Sequence, residues 1–184
     1  TRVFVGSWDN YLYCINAQGK KIWMYETGFM IRSTPRLTAD GTRVLVGSND
    51  HHLHCVNAIT GLRVWVYKTG QIVVSTPTLT ADGTCVLVGS HDQHLHCVDL
   101  NTGTMVWTYK TGGYFGNISS TPMLTADGAH VLVGSDDMCL HCVTVENGTQ
   151  VWTYQTGGGI SSTPMLTADG AHVLVGSDDM CLHC

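Results

Sequence analysis

Ile118 to Cys142 reads ISSTPMLTADGAHVLVGSDDMCLHC, and Ile160 to Cys184 repeats those 25 residues without one change. The offset between the copies is 42 residues. Looser copies lie upstream: STPRLTADGTRVLVGSNDHHLHC from Ser33 and STPTLTADGTCVLVGSHDQHLHC from Ser75. A chain that repeats one supersecondary unit at this period builds a propeller or a solenoid. The units run approximately over 1–29 (partial), 30–71, 72–114, 115–158 and 159–184 (partial), all in one array over 1–184.

Each unit predicts four strands. In the copy that starts at Ile118, SSTPML is the first strand, and Asp127-Gly128 suits the tight turn that follows it. HVLVGS is the second strand, CLHCVTV the third and QVWTYQT the fourth, with a turn at Glu146-Asn147-Gly148. No helical periodicity is sustained, so the chain reads as all-β. The second strand is apolar at consecutive positions, as in Val44-Leu45-Val46 and Val86-Leu87-Val88. A strand that is apolar on both faces is covered on both faces. Four-stranded blades stacked around an axis meet that demand, and a single flat sheet does not. The expected fold is therefore a β-propeller of four-stranded antiparallel blades. The chain starts in a second strand and stops in a third, which predicts a partial ring with open blade faces at its ends.

Composition narrows the function. Only 12% of residues are charged and the net charge is -5, without a Lys/Arg cluster, so a nucleic-acid partner is not expected. No apolar run approaches the roughly 18 residues of a membrane span. Cys14, Cys55, Cys97, Cys142 and Cys184 occupy one repeat position, so they read as small buried hydrophobes rather than a disulfide framework. Compartment is left open by these features.

The fourth strands carry Trp23, Trp65, Trp107 and Trp152, spaced 42, 42 and 45 residues apart. Cys97-Val-Asp99-Leu-Asn-Thr102-Gly103-Thr-Met-Val-Trp107 is similar to the tryptophan-docking motif of the quinoprotein (pyrroloquinoline quinone) propellers, in which Ala, Asp and Thr-Gly-Lys precede the Trp. Val-Gly-Ser-x-Asp at Val88–Asp92 and Ser-Thr-Pro at Ser75–Pro77 also resemble these repeats. The resemblance covers essentially the whole chain. It implies that each Trp stacks on the small residue and turn glycine of the adjacent blade, the glycines here being Gly19, Gly61, Gly103 and Gly148. The chain departs from the pattern in having Cys for Ala, and in keeping the Asp only as Asp99 and the Lys only as Lys20.

The resemblance implies two functions. Quinoprotein dehydrogenases hold pyrroloquinoline quinone with calcium, using Glu, Asn and a catalytic Asp, often beside adjacent cysteines. This chain has no Cys-Cys pair, and its only glutamates are Glu26 and Glu146. The same repeat also builds non-enzymatic scaffolds. The expectation is a non-catalytic interaction module without cofactor, whose partner is a protein or small ligand and whose open faces favour self-association. A fragment of a quinone-dependent dehydrogenase is the alternative.

Candidate sites follow from the repeat. Ser-Thr-Pro opens the first strand, so Ser33, Ser75, Ser120 and Ser162, with Thr34, Thr76, Thr121 and Thr163, would ring a channel mouth. Cys139-Leu-His-Cys142 and Cys181-Leu-His-Cys184 have zinc-knuckle spacing, but residues three apart on a strand face opposite ways. His54, His96, His141 and His183 are equivalent, and His52 and His94 lie two residues earlier on the same face. Such pairs would chelate a metal or simply line a groove between blades; the second reading is adopted, with no metal expected. Ten histidines also suggest loosening in acid. The link Tyr114-Phe115-Gly116-Asn117 offers two aromatics to a partner, and Asn117 and Asn147 begin glycosylation sequons.

Overall fold

The computed structural model describes residues 1–113 and 115–184, and every regular element among them is a strand. Strands β1 (Arg2–Gly6), β2 (Tyr11–Asn16) and β3 (Lys21–Glu26) form the first sheet. The second holds β4 (Arg36–Leu37), β5 (Arg43–Ser48), β6 (His52–Asn57) and β7 (Arg63–Lys68). The third holds β8 (Thr78–Leu79), β9 (Cys85–Gly89), β10 (His94–Asp99) and β11 (Met105–Lys110). The fourth holds β12 (Met123–Leu124), β13 (His130–Gly134), β14 (Cys139–Thr144) and β15 (Gln150–Gln155). The fifth holds β16 (Met165–Leu166), β17 (Val173–Gly176) and β18 (Leu182–His183). Each sheet is an antiparallel meander in sequence order, the form of a propeller blade. No helix among the described residues is long and apolar enough to cross a membrane.

The first strand of each blade is shorter than the sequence suggests. Ser-Thr-Pro precedes it rather than opening it: β8 begins just after Pro77 and β12 just after Pro122. Proline has no N–H to give to the ladder, so pairing starts one residue beyond it.

The second strands explain how the blades cohere. Leu45 packs toward the third blade with Val86, Val88 and Val98, while Val44 and Val46 pack toward the first with Leu12 and Ile31. The period-2 alternation of a strand thus divides one apolar run between two separate cores. Leu87 repeats the device against Val131 and Val133 of the fourth blade. These cores lie between blades, with no common centre. The linkers contribute too. Val73 lies so close to Gly47 that a Cβ there would come 2.4 Å from Val73 Cγ1.

Identical sequence does not give identical structure. Cys139–Thr144 forms a six-residue strand, but its copy is paired only over Leu182–His183. Cys142 is buried and Cys184 is exposed, which corrects the expectation that all five repeat-equivalent cysteines are core residues. The two copies differ in their neighbours: β14 is flanked by β15, and no outer strand pairs with β18 among the described residues.

Candidate functional site

The polar and aromatic groups singled out by the repeat gather in the seams between blades. Trp23 of β3 lies against Gly61 in the turn after β6; a Cβ on Gly61 would come 2.8 Å from Trp23 Cδ2. Trp65 meets Gly103 and Trp107 meets Gly148 in the same way, each at 2.6 Å. These glycines have φ of 74°, 71° and 71°, so the turn itself also favours a residue without Cβ. Each indole N–H donates across the seam: Trp23 to the Ala58 carbonyl at 3.3 Å, and Trp65 and Trp107 to those of Leu100 and Val145 at 2.9 Å. The two ends of the array differ. Gly19 has nothing within 4 Å of an added Cβ, and Trp152 is 39% exposed where Trp65 is 8%.

A second set of residues crosses every seam. Tyr25 Oη lies 3.0 Å from His54 Nδ1, and His54 Nε2 lies 3.0 Å from Asp50 Oδ2. Asp50 Oδ2 also accepts from the Gly28 N–H of the preceding unit at 2.7 Å. Tyr67, His96, Asp92 and Gly70 repeat the arrangement. So do Tyr109, His141, Asp137 and Gly112, and at the last seam Tyr154, His183, Asp179 and Gly157. A carboxylate only accepts, so the proton sits on His Nε2, and Nδ1 of His54, His96 and His183 is left to accept from the tyrosine hydroxyl; Tyr109 differs in that its hydroxyl also donates to Gln150 Oε1 at 2.8 Å. His54, His96 and His141 are buried.

The sequence reading missed the tyrosines and the acids. Both signals are present: Tyr follows each of the four fourth-strand Trp residues by two, and Asp precedes each of these histidines by four. The Asp residues read as turn formers, which they also are, since Asp50 caps the His52 amide at 3.0 Å.

The electrostatics of the relay favour a fixed charge pattern. Desolvation pushes the Asp50 carboxyl up, but hydrogen bonding and charge from His54 and the Gly28 N–H outweigh it and hold the group down at about 2. Asp92 is held at about 2 by the same balance. Burial pushes the Tyr109 hydroxyl up to about 12 and the Cys55 thiol to about 12. Both stay protonated, which is the wrong state for a nucleophile.

The Ser-Thr-Pro residues stand in a different relation. Ser33 donates to the Ser75 carbonyl at 3.0 Å, and Ser75 to the Ser120 carbonyl at 2.9 Å, so buried hydroxyls tie neighbouring blades together. Ser162 donates within its own blade to the Gly176 carbonyl at 2.8 Å. Thr34 and Thr163 are exposed, and Thr76 and Thr121 are half-buried. Phe115 is exposed and Tyr114 lies outside the described residues. Glu26 ends β3 in the first blade, and Glu146 follows β14 in the fourth, beside a cleft of about 610 Å³ with Trp107 and His130. Among the described residues the cysteines are free thiols.

Sequential meander blades joined by Trp–Gly seams define the class: a β-propeller of quinoprotein-like repeats. The family model described as outer membrane protein assembly factor BamB matches residues 1–120 and 91–182, and the chain belongs to that PQQ-like repeat family. Its fold is also similar to the crystal structure of BamB from Moraxella catarrhalis, with a TM-score of 0.82 at 21% identity over 95% of this chain and 55% of that one. The chain thus spans about half the length of that structure. No curated relative matches the chain.

Proposed function

We propose that the chain is a non-catalytic interaction module that docks a protein segment along its outer rim. One observation carries the reading. The fourth strand is the outer edge of its blade, and its second residue is an exposed β-branched side chain in every copy: Ile22, Val64, Val106 and Val151. Met24 and Met105 extend the apolar rim. An edge strand offers unpaired backbone groups, and exposed aliphatic residues beside them suit an added strand from a partner. The protonated phenols and thiols of the seams agree with a structural rather than a catalytic role. The family description, an assembly factor, agrees with docking.

Selection of a displayed peptide library on the 184-residue chain tests this. Extended, β-branched peptides are expected to be enriched, and Val64→Lys with Val106→Lys to abolish their binding without loss of fold. No enrichment, or enrichment indifferent to those changes, overturns the rim. Stoichiometric binding of pyrroloquinoline quinone with Ca²⁺, seen as a shifted absorption band, overturns the non-catalytic reading.

A further inference from the structure

The relay histidines have a neighbour that the seams do not need. Asp50, His52 and His54 stand at i, i+2 and i+4, so the turn and β6 present them on one side of the blade. Asp137, Cys139 and His141 repeat the spacing, as do Asp179, Cys181 and His183. In each of these three groups one ligand atom per residue lies within 4.8 Å of the others. Asp92, His94 and His96 share the sequence spacing; there His94 Nδ1 is hydrogen-bonded to the Asp92 carbonyl at 2.8 Å and lies 3.5 Å from the carboxylate.

The comparison between units says more than any one of them. The middle position is His52, His94, Cys139 and Cys181. Imidazole and thiol differ in size, shape and hydrogen bonding; what they share is affinity for borderline and soft metal ions. The first unit supplies the contrast. There Tyr11 and Tyr13 replace both ligands, and the Tyr13 hydroxyl donates to Asp9 at 2.7 Å. The local acid can therefore be satisfied without histidine.

We propose that these Asp-x-His/Cys-x-His groups are transition-metal sites, each binding one Zn²⁺-like ion through a carboxylate oxygen, a central His or Cys, and the buried histidine. Nitrogen and sulfur donors select such an ion over Ca²⁺ or Mg²⁺, which take oxygen. His54 Nε2 and Asp50 Oδ2 are 3.0 Å apart as a hydrogen-bonded pair and need to part to only about 3.3–3.5 Å to become two ligands of one tetrahedral ion, each about 2.0–2.2 Å from it. On binding, His54 gives up the proton at Nε2 and carries one at Nδ1, where Tyr25 Oη turns from donor to acceptor. That hydrogen bond fixes the ring, as outer partners of metal-bound histidines do. Cys139 and Cys181 each lose their thiol proton to solvent and bind as thiolate. Three protein ligands leave a further position for water or for a side chain of another molecule.

Titration of the reduced full chain with Co²⁺ and Zn²⁺ tests the sites. Co²⁺ is expected to give visible d–d bands and a near-ultraviolet thiolate charge-transfer band, both displaced by Zn²⁺ and absent with Ca²⁺ or Mg²⁺. Cys139→Ala with Cys181→Ala removes the charge-transfer band, while Cys85→Ser and Cys184→Ser leave it. Adding His52→Ala and His94→Ala weakens the remaining binding at least about tenfold. These middle positions leave the buried Asp–His bonds in place, and circular dichroism checks the fold. A wild-type chain with no saturable Co²⁺ spectrum overturns the proposal without any variant. So does a thiolate band that survives loss of Cys139 and Cys181.

Discussion

Tyr25 of the first blade and His54 of the second meet at 3.0 Å, ring edge to face with a centroid separation of 5.6 Å. The pair joins apolar contact to a hydrogen bond across a seam, and three later seams repeat it. Removing the hydroxyl leaves an imidazole nitrogen without its partner. Tyr67→Phe is therefore expected to cost about 1–3 kcal/mol in urea unfolding. Tyr154→Phe should cost much less, because Tyr154 is exposed and water replaces the lost group. Equal losses at the two positions would contradict this account.

The glycine turns allow the indole contact to be isolated. Gly19→Ala and Gly103→Ala meet nearly the same backbone penalty, since their φ values are 76° and 71°. That penalty is about 1–2 kcal/mol. Only Gly103 faces an indole, so its substitution should cost a further roughly 1–3 kcal/mol from overpacking. Guanidinium unfolding of both variants gives the difference, and a difference near zero would remove the Trp65 contact from the energetics.

Trp65→Ala should lose about 3–5 kcal/mol, the cost of emptying a buried aromatic site. Trp152→Ala should lose well under half of that, being 39% exposed. Thermal unfolding of the two variants side by side checks the order.

Acid acts through the aspartates. Asp50 and Asp92 sit at about 2 in the folded chain, against an ordinary value of 3.8. The unfolded chain therefore takes up protons first as pH falls. The stabilisation is complete above about pH 4 and is lost as pH drops through about 2. Asp50→Asn should flatten that acid limb in a plot of unfolding midpoint against pH.

Much of the fold was legible in advance because it is written in periods. A 42-residue offset, a paired-face second strand and a repeated Trp specify stacked meander blades, since each needs a neighbour on both sides. The seam chemistry was harder to read. Asp50 doubles as a turn former, and a lone histidine on a strand carries no sign that a tyrosine from another unit will meet it. The serines of Ser-Thr-Pro show the same limit: nothing within one repeat says that the Ser33 and Ser75 hydroxyls donate to the carbonyls of Ser75 and Ser120. Pairings between units depend on the rotation from one blade to the next, and no single repeat encodes that angle.

Because every apolar cluster straddles two adjacent sheets, the molecule is a row of bonds between nearest neighbours. A row of that kind can be lengthened or shortened by whole members without redesigning an interior. Two verbatim copies, Ile118–Cys142 and Ile160–Cys184, are what growth by duplication leaves behind when each newcomer fits the flank of its predecessor at once.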